Sequence, residues 1–200
     1  MGEQEGVPQV ADKLPPIIGL RGAIGSGKDT AAEFLSYYFG YKVLGFSDPV
    51  YECLYRLNPA IPVAHHRFVY LHTLVDSMGW DTAKRKYPAI RQGLRVIGTE
   101  NGREVHGNDC WLKIASSRMQ QSDCPQFVFR DVRFPEEATF IRNRGGEIWL
   151  IDGRTSPELA ILPEHKSEQQ QFAVDRLIMN DSTIPVFQRR ITEILKGKLS

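Results

Sequence analysis

The chain is poor in cysteine and carries no surplus of either charge. Its 200 residues include three cysteines, Cys53, Cys110 and Cys124, widely spaced and with no Cys-x-x-Cys. An odd, scattered set argues against a disulfide framework or a zinc ribbon and fits reduced thiols in a cytosol. Lys and Arg number 25 against 24 Asp and Glu, a formal net charge of +1. That balance excludes a globally basic nucleic-acid coat and an acidic solvating tail, so any work on phosphates must come from locally clustered charge. No apolar run approaches the roughly 20 residues of a membrane helix. The opening MGEQEGVPQVADKLPP lacks the basic and apolar regions of a secretory signal. Internal repeats and low-complexity blocks are missing too. The expected class is a soluble cytoplasmic protein with neither membrane nor nucleic-acid partners.

What is present is an ordinary globular composition, 42% hydrophobic and 24% charged, of a size for one domain or a core carrying an inserted lobe. Residues 1–16 read as a flexible lead-in. Order is expected from Ile17-Ile18-Gly19-Leu20, a β-branched run that stops at glycine-rich sequence. Lys28 to Phe39 has helical apolar spacing and is closed by Gly40. Tyr41–Phe46 reads as the next strand, followed by a helix with Pro49 in its first turn. Strand, glycine turn, helix and strand open a βαβ unit, which predicts a parallel sheet covered by helices on both faces.

Between about 50 and 122 no strand is expected. Leu71, Leu74, Val75 and Met78 fit helical spacing, as do Ile90, Leu94 and Ile97. Strands resume at Gln126–Arg130, Glu147–Ile151 and Arg176–Met179, with helices at Pro135–Arg144 and Ile184–Lys196. The expected architecture is α/β, a five-stranded parallel sheet with an inserted helical lobe.

Gly22-Ala23-Ile24-Gly25-Ser26-Gly27-Lys28 is a G-x-x-x-x-G-K phosphate loop, placed between strand and helix as that motif requires. Its glycines let the chain form a nest of inward amides for an oligophosphate, and the following helix adds a positive dipole end. Lys28 is expected to reach the β- and γ-phosphates. The Ser or Thr that usually follows is replaced by Asp29, with Thr30 next. Asp29 either holds hydrated Mg²⁺ with help from Thr30, or caps the helix or pairs with Lys28.

Asp131 falls where the strand 126–130 ends, on the ligand edge of an α/β sheet. A carboxylate there holds Mg²⁺ through water or fixes the substrate, and Arg133 can stabilise transferring phosphoryl charge. The alternative is an exposed structural pair. Glu136 and Glu137 read as first-turn residues favoured by the helix dipole. In the inserted helices Arg91, Arg95 and Arg103 can grip a second phosphate ester or line a solvated face. Arg103 follows a glycine-containing turn, Gly98 to Gly102, and is the best candidate. Trp111 is either core or a base-stacking platform. His65, His66 and His72 have no thiolate or carboxylate at ligand spacing and read as surface histidines.

These motifs resemble, in order, those of the bacteriophage deoxynucleoside monophosphate kinases. The loop Gly22 to Thr30 is similar to that family's G-x-x-x-S-G-K-D-T, and Phe46-Ser47-Asp48-Pro49 to its F-A-D-P. Ile97 to Arg103 with Asn108 to Trp111 resembles its L-G-T-(D/E)…R…W stretch. Asp131 to Glu137 is close to its D-x-R-F-x-x-E. His165 to Glu168 and Asn180-Asp181 are similar to its H-x-S-E and N-D elements.

The resemblance implies one P-loop kinase domain over 17–200, with a core of about 17–50 and 123–200, a helical monophosphate-binding lobe of about 51–122 and a lid of about 153–170. It implies transfer of the ATP γ-phosphoryl group to a deoxynucleoside 5′-monophosphate, with Mg²⁺ as cofactor, in the cytoplasm, or the host cytoplasm of a phage. Catalytic roles would fall on Lys28, Asp131 and Arg133. ATP phosphates would meet Gly22, Ala23, Gly25, Ser26, Gly27, Lys28, Asp29, Thr30 and Arg154; Mg²⁺ would meet Asp29, Thr30 and Asp131. The acceptor would meet Asp48, Arg91, Arg95, Arg103 and Trp111. Tyr51 and Arg95 depart from the family's usual lysine and glutamine, so base preference is not carried over. Oligomeric state is open, a homodimer included. Competing readings are a kinase of dephospho-coenzyme A or phosphomevalonate type, and a switch GTPase, against which no Asn-Lys-x-Asp occurs.

Overall fold

In the computed structural model the described residues are 14–153 and 172–199. They fall into two compact units, one running to Leu44 and resuming at Ser122, the other Gly45–Gln121.

The first unit is built on a five-stranded sheet in the order β2-β5-β1-β6-β7, every neighbouring pair parallel. Its strands are β1 (Ile17–Arg21), β2 (Lys42–Leu44), β5 (Phe127–Phe129), β6 (Glu147–Gly153) and β7 (Arg176–Asn180). β1 lies at the centre and is covered on both faces, which explains its unbroken apolar run. Ile18 and Leu20 point into a core with Val128, Trp149, Ile151 and Ile178. Helices α1 (Lys28–Phe39) and α7 (Ile184–Leu199) close that face through Ala31, Leu35, Phe187 and Ile191. On the opposite face Gly19 meets α6 (Pro135–Arg142), where an added Cβ would lie 2.6 Å from Ile141 Cδ1. The spacing of two between Ile18 and Leu20 is what divides the faces.

Helix ends follow local chemistry. Gly40 adopts φ 73° and closes α1, as the left-handed position past a helix end requires. α6 is capped from within: Glu137 Oε2 accepts from the amides of Arg133 at 2.7 Å and Phe134 at 3.1 Å. That buried carboxylate is therefore a cap rather than only a dipole partner. Tyr41, fully buried, donates its hydroxyl hydrogen to the Pro15 carbonyl at 2.7 Å.

The second unit contains α2 (Asp48–Leu57), α3 (Leu71–Lys86), α4 (Pro88–Arg95) and α5 (Cys110–Gln120) around Val50, Leu54, Leu71, Leu74, Ile90 and Ile97. Two features depart from the expectation of a purely helical segment. Strands β3 (Ala60–Ala64) and β4 (Arg67–Tyr70) form an antiparallel hairpin with His65-His66 at its tip. Pro62 sits in it because a two-stranded sheet has only edge strands. The expected glycine turn is instead a π-helix, Val96–Arg103, followed by one turn at Glu104–His106. α3 also kinks at Gly79, φ 74° and ψ 160°.

Candidate functional site

The phosphate loop lies at the C-terminal end of β1, between its neighbours β5 and β6. From there the chain runs to β2 on one side and β6 lies on the other, the point where ligands bind in open α/β sheets. Gly22, Gly25 and Gly27 take φ values of 148°, 81° and 105°. A Cβ at Gly22 would fall 2.3 Å from the Ile151 carbonyl oxygen, and one at Gly27 2.4 Å from Asn180 Nδ2. Gly22 excludes a side chain on steric and conformational grounds together, whereas at Gly27 the positive φ disfavours one and the atom it would meet is the end of the Asn180 side chain. Among the described residues the amides of Gly25 and Gly27 have no backbone acceptor. The buried Ser26 hydroxyl has no partner there either.

Lys28 opens α1 and bends back over the loop. Its Nζ donates to the carbonyls of Gly22 at 2.8 Å and Ala23 at 2.6 Å. Asp29 is exposed in the first turn of α1; it makes no cap bond, and among the described residues no ion pair joins it to Lys28. The capping and pairing alternatives for Asp29 are thereby set aside. Thr30 follows, half-buried on the same turn. The donor set is chemically apt for an oligophosphate: amides without acceptors, one ammonium and a helix N-terminus.

Beyond β5 the chain is held on both sides, Arg130 N donating to Leu44 O and Val132 N to Leu20 O, each at 3.1 Å. Asp131 between them is half-buried and Arg133 is exposed. No ion pair joins the two among the described residues, so the purely structural pair is not formed. Among the described residues no three His, Cys, Asp or Glu side chains could hold a metal alone. Mg²⁺ commonly binds through one or two carboxylates together with substrate phosphates and water. Asp29, exposed, and Asp131, half-buried, are carboxylates of that chemical kind.

In the second unit Asp48 accepts from the Gly45 amide at 2.7 Å and so shapes the entry to α2. Arg91 donates through Nε to the Lys84 carbonyl at 3.0 Å, and Arg95 meets Glu100 at 3.4 Å. Arg103 is buried at the end of the π-helix, not on a solvated face. Trp111 donates its indole N–H to Gly98 O at 2.9 Å, and its ring lies so close to Gly102 that a Cβ would come within 2.3 Å. The ring thus serves the packing around the π-helix. His72 is not a surface histidine: it is half-buried, stacked on Tyr55 with centroids 4.0 Å apart. Burial pushes the Cys110 thiol up, away from an activated nucleophile. Arg154, the expected lid of about 153–170 apart from Gly153 itself, and His165 to Glu168 lie outside the described residues.

Three residues were not singled out for the roles they occupy. Asn180 Nδ2 donates to Ser26 O at 2.8 Å, contacting the loop directly. Arg21 places its guanidinium 4.2 Å from the Phe172 ring centre. Lys84 donates to Tyr51 Oη at 2.9 Å and pairs with Asp81 at 3.0 Å. Burial alone would lower the Lys84 pKa, but Tyr51 and Asp81 outweigh it and hold the ammonium above its ordinary value. A long-range side-chain contact of this kind leaves no periodic trace in sequence.

Strand, glycine loop and helix at the switch point of a parallel five-stranded sheet define a P-loop α/β fold, the architecture that P-loop kinases share. No protein-family model matches the chain. A curated relative, 26% identical over 200 residues that cover 88% of this chain and 93% of the relative, is named "Putative deoxynucleotide monophosphate kinase" and comes from Acanthamoeba polyphaga mimivirus. Among solved structures, TT1252 of Thermus thermophilus is similar with a TM-score of 0.50 and 18% identity, covering 94% of this chain and 100% of that one. The APS kinase CysC of Mycobacterium tuberculosis follows at a TM-score of 0.42 and 13% identity, with 92% and 98% covered.

Proposed function

We propose that the chain is an ATP-dependent kinase whose acceptor is a deoxynucleoside 5′-monophosphate. The observation that carries the phosphoryl-donor half is the loop Gly22–Lys28, with its ammonium drawn across two loop carbonyls at the C-terminal end of β1. The acceptor half rests on the ordered motif series and on the name of the mimivirus relative.

In this reading the loop amides and the first turn of α1 bind the β- and γ-phosphates. Lys28 neutralises charge on the transferring group, and Arg133, exposed beyond β5, does so from another side. The acceptor's phosphate oxygen is already ionised near neutrality, so no strong general base is needed. Positioning and charge neutralisation carry the reaction. Asp29, Thr30 and Asp131 would hold Mg²⁺, which when bound neutralises the phosphate oxygens as a Lewis acid. Arg91, Arg95 and Arg103, with Asp48, are the proposed acceptor-side residues. The units are proposed to divide the work as donor core and acceptor lobe.

The test uses purified protein with ATP, Mg²⁺ and a panel of deoxy- and ribonucleoside monophosphates, with dephospho-coenzyme A and phosphomevalonate alongside. ADP and phosphorylated product are followed together. Acceptor-dependent ADP with at least one deoxynucleotide is expected. Turnover confined to the other acceptors, or absent with all of them, would overturn the assignment.

A further inference from the structure

The loop's outer wall is made by the end of β7. Register sets Asn180 beside Gly153 of β6, and Asn180 lies against both Gly153 and Gly27. A Cβ on Gly27 would lie 2.4 Å from Asn180 Nδ2, and one on Gly153 would lie 2.7 Å from Asn180 Cβ and 2.9 Å from Ser26 O. The side chain leaves β7 with its Cβ against Gly153, and its amide lies over Gly27 with its nitrogen donating to Ser26 O at 2.8 Å. The Ser26–Gly27 peptide is trans, as are all described peptide bonds. In a trans peptide the C=O and the following N–H point in opposite directions. Fixing the Ser26 carbonyl on Asn180 therefore turns the Gly27 N–H away from β7, where it has no backbone acceptor among the described residues.

Asn180 is itself fastened. Arg190 of α7 donates through Nη1 to the carbonyl of Met179 and to Asp181 Oδ1, the residues on either side of it. From the same helix Phe187 comes within 3.6 Å of the position a Gly27 Cβ would take.

We infer that Asn180 is a positioning residue for the phosphate loop: its side-chain amide sets the Ser26–Gly27 peptide so that the Gly27 N–H is presented to a nucleotide phosphate, with Arg190 holding Asn180 in place. The ligand in this inference rests on the proposed kinase function; the loop positioning does not. Asn180→Asp keeps the shape and replaces the donor with an oxygen facing a carbonyl; Asn180→Ala removes the donor.

Amide hydrogen exchange of the ligand-free protein is measured first. Exchange of the Ser26 amide, which donates to Ala23 O at 3.1 Å, should rise about tenfold in both variants, while β1 and β5 keep their protection. ATP titrated without any acceptor should then bind about tenfold more weakly, the loss expected of one removed hydrogen bond at a binding loop. A role confined to stability would lower the thermal midpoint and leave ATP affinity of the folded variant unchanged, which overturns the inference. Unchanged loop exchange overturns it as well. If the wild type binds no ATP yet loop exchange rises in the variants, the positioning stands and the kinase reading fails. Should neither variant fold, Arg190→Ala carries the test: loop exchange must rise, and an unchanged loop refutes the clamp.

Discussion

The two units place charge by opposite means. In the sheet-bearing unit the phosphate loop is shaped by backbone: three glycines at positive φ, a helix N-terminus and amides left without backbone acceptors among the described residues. In the inserted unit the proposed acceptor residues are long side chains whose positions depend on neighbours, Arg91 on the Lys84 carbonyl and Arg95 on Glu100. A backbone nest is specified by the local sequence that makes it. An arginine's reach is specified by whatever packs around it. The first kind of site should fail all at once and the second by degrees.

The largest expected effect lies in the loop. Lys28→Met should lower kcat by about 10²–10³-fold, since a charge aimed at the transferring group is lost from a preorganised site. Circular dichroism and thermal midpoint should stay as in the wild type. Retained kcat would mean the loop does not serve phosphoryl transfer.

Arg91→Ala should raise the acceptor KM about tenfold and leave the ATP KM unchanged, the cost of one lost charged hydrogen bond. Equal change in both constants would break the proposed division between the units. Trp111→Phe keeps an aromatic side chain but replaces the indole with a smaller ring and removes the N–H bonded to Gly98 O. It should cost about 1 kcal/mol of stability in urea unfolding and move neither KM. A shifted acceptor KM would instead make the ring a base-stacking platform.

The effect confined to alkaline solution belongs to pH. Burial raises the pKa of Tyr41, which donates to Pro15 O. A raised folded pKa gives stability that is complete below the unfolded tyrosine value of about 10 and is lost as pH rises through the folded one. Unfolding free energy should therefore fall above pH of about 10, by at most about 1.4 kcal/mol per pH unit from this group. Tyr41→Phe should flatten that slope.

The same contrast decides what the sequence made legible. Strands β1, β5 and β6 were readable because burial on two faces forces apolar runs, β7 from the short run Leu177-Ile178-Met179 although only Ile178 of it is buried, and α1 from its helical spacing and closing Gly40. The loop could be located to the residue, since its glycines at Gly22 and Gly27 take positive φ that other residues rarely adopt. The β3–β4 hairpin was not visible: Pro62 interrupts its alternation and His65-His66 replaces the usual glycine turn. The π-helix was hidden because its geometry depends on Trp111 closing on Gly98 and Gly102, a tertiary contact. Asn180 was noticed as a motif, but its bond to Ser26 spans most of the chain and no spacing rule reports it.

The placement of β1 between β5 and β6 also has a kinetic side. β1 cannot gain either partner until the chain has passed through all of Gly45–Gln121 and returned. Closing so long a loop is entropically opposed, with a cost that grows as the logarithm of its length. A contiguous insert that collapses early shortens the effective loop, so contacts within Gly45–Gln121 should gain exchange protection before the β1–β5 pairing does. Pulse-labelled hydrogen exchange during refolding resolves that order. Simultaneous protection of both would mean that the sheet does not wait for its insert.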